Sequence, residues 1–212
     1  MNKKTRVLLV DDHTVARNGV RLMLNTVDDI EIVAEAENAQ EALQLMRQQE
    51  FDVALVDIAM PGKNGLDLLK QIHGEKPKLA ILILSMYAEE AYAIRAFKHG
   101  ASGYLTKDSS VGTLVAAVRK VASGGKYVSP TMVEKLASVV AGKSHHSHEK
   151  LSDRELEVLK LLAAGESLIK IAETLHISPN TVTTYRARIL EKTGMKSNAE
   201  LARYALENGL LV

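Results

Sequence analysis

Short apolar runs alternate with helical patterns over the first 124 residues of the chain. Five such runs predict β-strands, at Val7–Val10, Glu31–Ala34, Val53–Val56, Ala80–Leu84 and Gly103–Leu105. Several of them are apolar on both faces, which is typical of a parallel sheet that helices cover on both sides. The pattern therefore predicts a five-stranded parallel sheet with helices in the connections.

The connections between these strands have the period of amphipathic helices. Three helices are marked by apolar residues at helical spacing, in the sets Ala16, Val20, Met23, Leu24; Leu66, Leu69, Ile72; and Leu114, Val118, Val121. Strand and helix units joined by right-handed crossovers form a doubly wound α/β sheet, whose ligand site lies beyond the carboxyl ends of the strands.

From Leu151 onward the chain carries only helix signals. Four serines precede helical patterns and predict helix caps, at Ser152, Ser167, Ser178 and Ser197. Glutamates three residues after the first and last of them, Glu155 and Glu200, complete the capping-box pattern. The sequence therefore predicts a small all-α domain over residues 151–212, joined to a sheet domain over residues 5–124 by a linker at residues 125–150.

The linker is predicted to be partly helical. Ser129 and Pro130 have the chemistry of a helix start, whereas residues 142–150 are polar and without a pattern. His145, His146 and His148 carry metal-binding nitrogens, but their spacing differs from that of known metal sites. We favour a solvated linker over a metal site as the interpretation of these histidines.

Composition narrows the class of protein. The 212 residues are 46% hydrophobic and 25% charged, which is ordinary for a soluble globular chain. The absence of cysteine excludes disulfides and thiolate metal sites and favours a reducing cytoplasm. Because no segment reads as a secretion signal or a membrane span, we expect a cytoplasmic protein without a membrane partner. The net charge of +1 leaves nucleic-acid binding open.

Side chains that carry charge or a hydroxyl stand at the ends of four predicted strands. Asp11 and Asp12 follow the first strand, Asp57 the third, Ser85 the fourth and Lys107 the fifth. These groups are expected to converge, because the carboxyl ends of parallel strands share one rim. Adjacent carboxylates raise one another's pKa unless a cation neutralises them, and an oxygen-only cluster suits Mg²⁺.

A cation beside a further carboxylate, a lysine and a hydroxyl is the arrangement that phosphoryl transfer to a carboxylate requires. The cation and the lysine offset the charge of the incoming group, since catalysis of this reaction is mainly positioning and electrostatics. Each residue alone has an ordinary explanation, because an aspartate pair after a strand often caps a helix and a terminal lysine is usually solvated. The agreement of four strand ends favours the phosphoryl-transfer site.

The stretches VLLVDDH, DVALVDIAMPGKNG, LILS and GASGYLTK resemble the receiver domain of two-component response regulators, a flavodoxin-like fold, over residues 5–124. The resemblance implies that Asp57 is the phosphoacceptor and that Lys107 pairs with the phosphoryl group. It further implies the Mg²⁺ ligands Asp12, Asp57 and the main-chain oxygen of Ala59, the water-mediated ligand Asp11, and the switch residues Ser85 and Tyr104. Such a domain is expected to phosphorylate and slowly dephosphorylate itself without being an enzyme in its own right.

Two side chains flank the expected path of water to the acyl phosphate. Ala59 and Tyr87 lie two positions after Asp57 and Ser85. Ala59 offers an attacking water no hydrogen bond, and Tyr87 adds bulk. We therefore expect a phosphorylated state that hydrolyses slowly for this class.

The segment ESLIKIAETLHISPNTVTTYRARILEKTG predicts a helix-turn-helix. Ile171, Ala172 and Leu175 form the inner side of its first helix, and Ser178 and Pro179 begin the second. The second helix would lie in the major groove of DNA. Residues 178–198 hold four cations against one acid, so positive charge is concentrated there although residues 151–212 are neutral overall.

The stretches LSDRELEVLKLLAAGES, IAETLHISPNTV and ILEKTGMKSNAEL are similar to the LuxR-type DNA-binding domain of the NarL/FixJ response regulators, and TYRARILEK is similar to the GacA, UvrY and BvgA group. The resemblance implies groove contacts from Thr181, Thr183, Thr184, Ala187 and Arg188, and phosphate contacts from Ser178, Lys192 and Lys196. This chain has Leu168 and Ile169 where the family often has polar residues. For Ile169 we favour packing over a contact to a partner.

The strand-end cluster, the helix-turn-helix pattern and the two family resemblances together imply a phosphorylation-dependent transcriptional regulator. Its expected partners are a sensor histidine kinase, double-stranded promoter DNA, a second copy of the chain after phosphorylation, and RNA polymerase as a further candidate. Two other interpretations stay open. One is a Mg²⁺-dependent aspartyl-phosphate phosphohydrolase, although such enzymes need their nucleophile after strand one in an Asp-x-Asp arrangement. The other is a receiver whose helical output binds protein or RNA.

Overall fold

The computed structural model describes residues 3–60, 65–86, 89–129, 132–133 and 147–211. The chain divides into two compact units, residues 1–135 and residues 136–212. The first unit contains a sheet with its helices, and the described part of the second is helical.

A five-stranded parallel sheet forms the centre of the first unit, as predicted. Its strands are β1 (Thr5–Val10), β2 (Ile30–Ala36), β3 (Val53–Asp57), β4 (Ala80–Ser85) and β5 (Gly103–Thr106). They pair in the order β2-β1-β3-β4-β5, which is the flavodoxin-like doubly wound order. Every run predicted from the sequence is a strand, and the observed strands extend the predicted ones by one to three residues.

Helices cover the sheet and leave one rim for polar residues. They are α1 (Thr14–Leu24), α2 (Ala39–Gln48), α3 (Gly65–Glu75), α4 (Glu89–Lys98) and α5 (Val111–Ala122). Val20 of α1 and Val118 of α5 share a core with Leu9 of β1. The neighbouring strand residues Leu8 and Val10 point to the opposite face and are also completely buried. Both faces are therefore covered, which explains the continuous apolar runs.

The predicted linker differs from the structure at both ends. At its start, Tyr127 forms a parallel bridge with Gly103 at the edge of β5 and belongs to the sheet unit. At its end, Ser147–Lys150 is a 3-10 turn. His148 in this turn is only 8% exposed, and its Nδ1 lies 2.8 Å from the Tyr204 hydroxyl. Pattern analysis missed this packing because the contact joins residues far apart in sequence. His145, His146 and Pro130 lie outside the described residues.

The described part of the second unit has four α-helices: α6 (Asp153–Ala163), α7 (Leu168–Leu175), α8 (Pro179–Thr193) and α9 (Asn198–Glu207). Each predicted serine caps its helix by accepting a hydrogen bond from the main-chain N three residues later. Ser152 and Glu155 form the predicted capping box. The capping box predicted at Ser197 and Glu200 differs in one contact. Glu200 accepts a hydrogen bond from the main-chain N of Lys196 (2.8 Å) instead of from that of Ser197. None of the helices among the described residues is long and apolar enough to span a bilayer.

Lys160 of α6 gives the second unit a pH-dependent stability. Burial lowers the pKa of its ammonium to about 7, although the Glu157 carboxylate acts in the opposite direction. Between that value and the ordinary lysine pKa of 10.5, the unfolded chain binds a proton that the folded chain lacks. The unfolding free energy of this unit is therefore expected to rise with pH in that window, by up to about 1.4 kcal/mol per pH unit.

Lys160→Met is expected to flatten this rise, since the titrating group is gone. Urea unfolding of the full chain between about pH 7 and 9, followed on methyl signals of the second unit, measures the slope. Lys170→Met on the exposed side of α7 is the matched control and is expected to keep the wild-type slope. Equal slopes in Lys160→Met and wild type would contradict the assignment.

Candidate functional site

The strand ends converge at one rim, as the sequence predicts. The register of the sheet places Ser85 beside Thr106, and Lys107 follows directly. Lys107 Nζ lies 2.7 Å from Asp11 Oδ2 and 2.7 Å from Asp57 Oδ2, so one ammonium bridges the ends of β1 and β3. The side chains of both aspartates are 2% exposed. Two carboxylates and a lysine therefore form a buried ionic site.

Burial and ion pairing act against each other on this site. Burial raises the pKa of Asp57, and the hydrogen bond and charge of Lys107 offset that rise only in part. Burial lowers the pKa of Lys107, but its contacts with Asp11 and Asp57 outweigh this and leave the pKa above its usual value. The lysine thus stays charged, while the site disfavours the charge on Asp57.

Asp12 and His13 complete a cluster of cation-binding groups. Asp11, Asp12, His13 and Asp57 each offer one ligand atom, all within 4.8 Å of one another. Asp12 Oδ1 is buried and accepts no hydrogen bond from the described residues, although His13 Nδ1 lies only 2.9 Å away. The two Asp11 oxygens, by contrast, are engaged by the main-chain N of His13 (2.8 Å) and by Lys107. An orphaned buried oxygen in an oxygen-rich set fits a hard divalent cation such as Mg²⁺.

Ala59, Ser85 and Tyr104 are the remaining receiver residues that the resemblance implies and the structure describes. The main-chain N of Ala59 donates to Asp57 Oδ1 (3.2 Å). Ser85 ends β4 and is completely buried. Tyr104 of β5 is 2% exposed, so this structure already holds it inside the unit, and its expected inward movement would have to start from another conformer. Tyr87 lies outside the described residues.

Two residues beside the site were not singled out from the sequence. A Cβ on Gly65 would lie 2.0 Å from the main-chain oxygen of Asp57, so the start of α3 touches the backbone of the site. Arg17 is buried at 6% exposure on the inner side of α1. Arg17 could have been noticed from the sequence, because a cation on the apolar stripe of a predicted helix is unusual. The contact of Gly65 depends on tertiary packing and has no such sign in the sequence.

The helix-turn-helix consists of α7 and α8. His176 in its turn is left-handed, with a φ of 52°, and Ser178 caps α8 with Pro179 as the first helical residue. Val182 and Ile189 of α8 are completely buried. Four of the predicted groove-contact residues are exposed, namely Thr183, Thr184, Ala187 and Arg188, and Thr181 is half-buried. The outward face of α8 is thus the one that the sequence predicts.

The surroundings of Lys192 and Ile169 differ from what the pattern along the chain suggests. Lys192 Nζ donates to both carboxylate oxygens of Glu155 (2.9 and 2.7 Å), and its contact with DNA phosphates stays a prediction. Burial raises the pKa of Glu155, but Lys192 and Ser152 outweigh this and the pKa is lowered. Ile169 is 65% exposed on α7, so the favoured packing interpretation is wrong. Both differences arise from tertiary neighbours that spacing does not reveal.

Comparison with known proteins identifies both units. The response regulator receiver domain matches residues 7–119, and the bacterial regulatory proteins of the luxR family match residues 149–205. Oxygen regulatory protein NreC of Staphylococcus carnosus is 37% identical over 97% of this chain and 99% of its own. Response regulator GacA of Pseudomonas aeruginosa is 33% identical over 97% of each chain.

A solved structure is similar over nearly the whole chain. Response regulator ChrA of a heme-sensing two-component system is 33% identical, with a TM-score of 0.54, over 97% of this chain and 98% of that one. Similarity thus extends over nearly the whole length of these relatives, and it includes both the receiver rim and the helix-turn-helix. The chain belongs to the NarL/FixJ family of two-component response regulators, which regulate transcription through a LuxR-type DNA-binding domain.

Proposed function

We propose that Asp57 accepts a phosphoryl group from a sensor histidine kinase, with Mg²⁺, and that this modification controls dimerisation and sequence-specific DNA binding. The observation that carries the proposal is the contact of Lys107 Nζ with Asp57 Oδ2 (2.7 Å) beside the orphaned Asp12 Oδ1. A buried acceptor carboxylate, a lysine ammonium paired with it and a further carboxylate oxygen that could hold a metal ion are the parts that phosphoryl transfer requires.

Each residue at the rim has a role in this reaction. A carboxylate oxygen of Asp57 forms the new bond to phosphorus, while the bond from phosphorus to the donor's leaving group breaks. Lys107 is paired with Asp57 before the reaction, and its ammonium would then pair with the phosphoryl oxygens. Asp12 and Asp57, with the main-chain oxygen of Ala59, would hold Mg²⁺, and Asp11 would act through water. When bound, Mg²⁺ supplies positive charge that offsets the charge of the incoming group.

Phosphorylation would change the population of receiver conformers. The group adds negative charge and acceptor oxygens at a buried position, and Ser85, Lys107 and Tyr104 would follow those oxygens. A conformer that dimerises needs only a few kcal/mol of differential interaction with the phosphorylated site to become the main species. A dimer presents two copies of α8 to paired half-sites on promoter DNA.

The exposed face of α8 supports a DNA target rather than a protein or RNA target. Arg188 and Lys196 have no acidic partner among the described residues, unlike Lys192. Ser178, Thr181, Thr183, Thr184 and Ala187 supply small and hydroxyl side chains on the same helix start. Exposed Ile169 on α7 is a candidate contact for RNA polymerase, because it lies on another helix of the same motif.

Selection of genomic DNA fragments with and without a small acyl phosphate tests the proposed function. We expect specific fragments to be enriched, more strongly after phosphorylation. Arg188→Ala is expected to weaken binding to them by roughly tenfold or more and to reduce the salt dependence. Lys192→Ala is the matched control within α8 and should leave the salt dependence unchanged, because Glu155 already holds Lys192. Recovery of random fragments only would favour the protein- or RNA-binding alternative.

An assay for phosphate-ester turnover separates the regulator from the phosphohydrolase alternative. The acceptor carboxylate follows β3, whereas β1 is followed by Asp-Asp-His without the Asp-x-Asp arrangement of those enzymes. We therefore expect at most one phosphoryl group per chain and no continuous turnover.

Ala59→Asn is expected to accelerate loss of phosphate from Asp57. The alanine side chain has no hydrogen-bonding group, whereas an asparagine amide can orient an attacking water. The position is close to the acceptor, because the main-chain N of Ala59 contacts Asp57 Oδ1. We expect an acceleration smaller than the roughly 100-fold or more that a positioned general base supplies, because an amide orients water without accepting its proton. Decay of the purified phosphorylated protein measures the rate, with Ala59→Val as a control that adds bulk but no polar group. Equal rates in Ala59→Asn and wild type would refute the role of this position.

A further inference from the structure

Arg17 lies beneath the turn that carries the acidic pair. Its Nη1 donates to the main-chain oxygen of Asp11 (2.7 Å), and its Nη2 donates to Glu37 Oε1 (2.5 Å). Its Nε lies 3.5 Å from Glu35 Oε2. The guanidinium is thus held on one side by carboxylates at the end of β2 and bonded on the other to a peptide oxygen of the candidate cation site.

The residues that bind Arg17 have further contacts. The main-chain N of Glu37 donates to Glu41 Oε2 (2.8 Å) in the first turn of α2, so the start of that helix holds the main chain at Glu37. Glu35 also pairs with Arg21, whose Nε lies 2.7 Å from Glu35 Oε1. A planar guanidinium with several donors can join such fixed points in a way that a single ammonium cannot.

The contact with Asp11 sets the direction of Asp12. The main-chain N of Asp11 is bonded to the main-chain oxygen of Ala36 (3.1 Å), and its carbonyl is bonded to Arg17. That carbonyl belongs to the planar peptide that joins Asp11 to Asp12, so a bond to the oxygen restricts the orientation of the plane that carries the Asp12 Cα. The Asp12 side chain extends from that Cα, and its buried Oδ1 accepts no hydrogen bond from the described residues.

We propose that Arg17 is a positioning residue of the cation site, which holds the Asp11–Asp12 peptide so that the Asp12 carboxylate faces a divalent cation. The inference rests on the proposed Mg²⁺ site and assigns it a support that the receiver resemblance does not include. It resembles the way in which residues behind metal ligands orient them, where loss of one such residue typically lowers metal affinity by about 10- to 100-fold.

A purely electrostatic role predicts the opposite result. A buried cation close to the carboxylates repels Mg²⁺, so its removal alone would tighten binding. Positioning predicts weaker binding when Arg17 is removed. The sign of the change in Mg²⁺ affinity therefore separates the two roles, and a merely structural residue would change thermal stability without changing affinity in the folded protein.

Mg²⁺ titration of the full chain, followed by the amide signals of residues 11–13, tests the proposal. Arg17→Met is expected to raise the Mg²⁺ dissociation constant by about tenfold or more. Arg21→Met is the matched control on the same helix, because it removes a pairing with Glu35 but no contact with Asp11, and should change the constant less than about twofold. Thermal unfolding of each variant is measured in parallel.

If Arg17→Met does not fold, Arg17→Lys tests the positioning role of Arg17 in its place. It keeps the charge but not the fork that joins Asp11 to Glu37, and we expect an intermediate loss of Mg²⁺ affinity. Wild-type or tighter binding in a folded Arg17 variant would overturn the inference. If the wild-type chain itself bound no Mg²⁺, the proposed cation site would fail instead, so the two failures are distinguishable.

Discussion

Asp57→Asn is expected to abolish uptake of phosphate from a small acyl phosphate and, with it, phosphate-dependent dimerisation. An amide has no anionic oxygen to attack phosphorus, while Lys107 keeps its second partner, Asp11 Oδ2, at 2.7 Å. The fold should therefore persist although the acceptor is lost. Intact-mass spectrometry measures phosphate uptake, and sedimentation measures the dimer.

Asp108→Asn is the control for this substitution. Asp108 is exposed and directly follows Lys107, so it tests whether any loss of negative charge near the rim reduces uptake. We expect it to be phosphorylated and to dimerise as the wild type does. Phosphate uptake or a phosphodonor-dependent dimer in Asp57→Asn would rule out Asp57 as the controlling acceptor.

Gly65→Ala is expected to destabilise the receiver by about 3 kcal/mol or more, which is the upper range for an added group in a closed site. The new Cβ would lie 2.0 Å from the main-chain oxygen of Asp57 and 2.8 Å from the Cα of Ile58. Both neighbours are backbone, so neither can move aside by a rotamer change. Relief of the overlap requires α3 or the end of β3 to shift, which would also displace Asp57 and slow its phosphorylation.

Gly74→Ala provides a matched comparison in the same helix. A Cβ on Gly74 meets nothing within 4 Å, so this substitution adds only helix propensity. We expect it to stabilise the receiver by up to about 1 kcal/mol. Urea unfolding of the receiver signals in the full chain compares the two variants. Equal stability of Gly65→Ala and Gly74→Ala would contradict the close contact at Asp57.

The architecture follows from the sequence to an unusual degree in this chain. The alternation of short apolar runs with helical patterns predicts all five strands, and several of these runs are apolar on both faces and end at polar or charged residues. The convergence of Asp11, Asp57 and Lys107 follows from parallel topology, which brings carboxyl ends to one rim. The four serine caps are local signals, since each hydroxyl bonds to a main-chain N three residues away.

Particular side-chain pairings are decided only by the tertiary structure. Lys192 is paired with Glu155, and Arg17 donates to the Asp11 carbonyl through a helix-to-turn contact. Ile169 is exposed because no neighbouring element covers that side of α7 among the described residues.

The sequence by itself thus determined the class of fold, the order of the two domains and which residues reach the rim, because strand period and chain direction are local properties. The tertiary structure decided which aspartate oxygens have hydrogen-bond or ion-pair partners. Lys107 and the main-chain N of His13 engage both Asp11 oxygens, whereas Asp12 Oδ1 accepts no hydrogen bond from the described residues. That choice depends on rotamers and on contacts between distant segments, and no pattern along the chain encodes them.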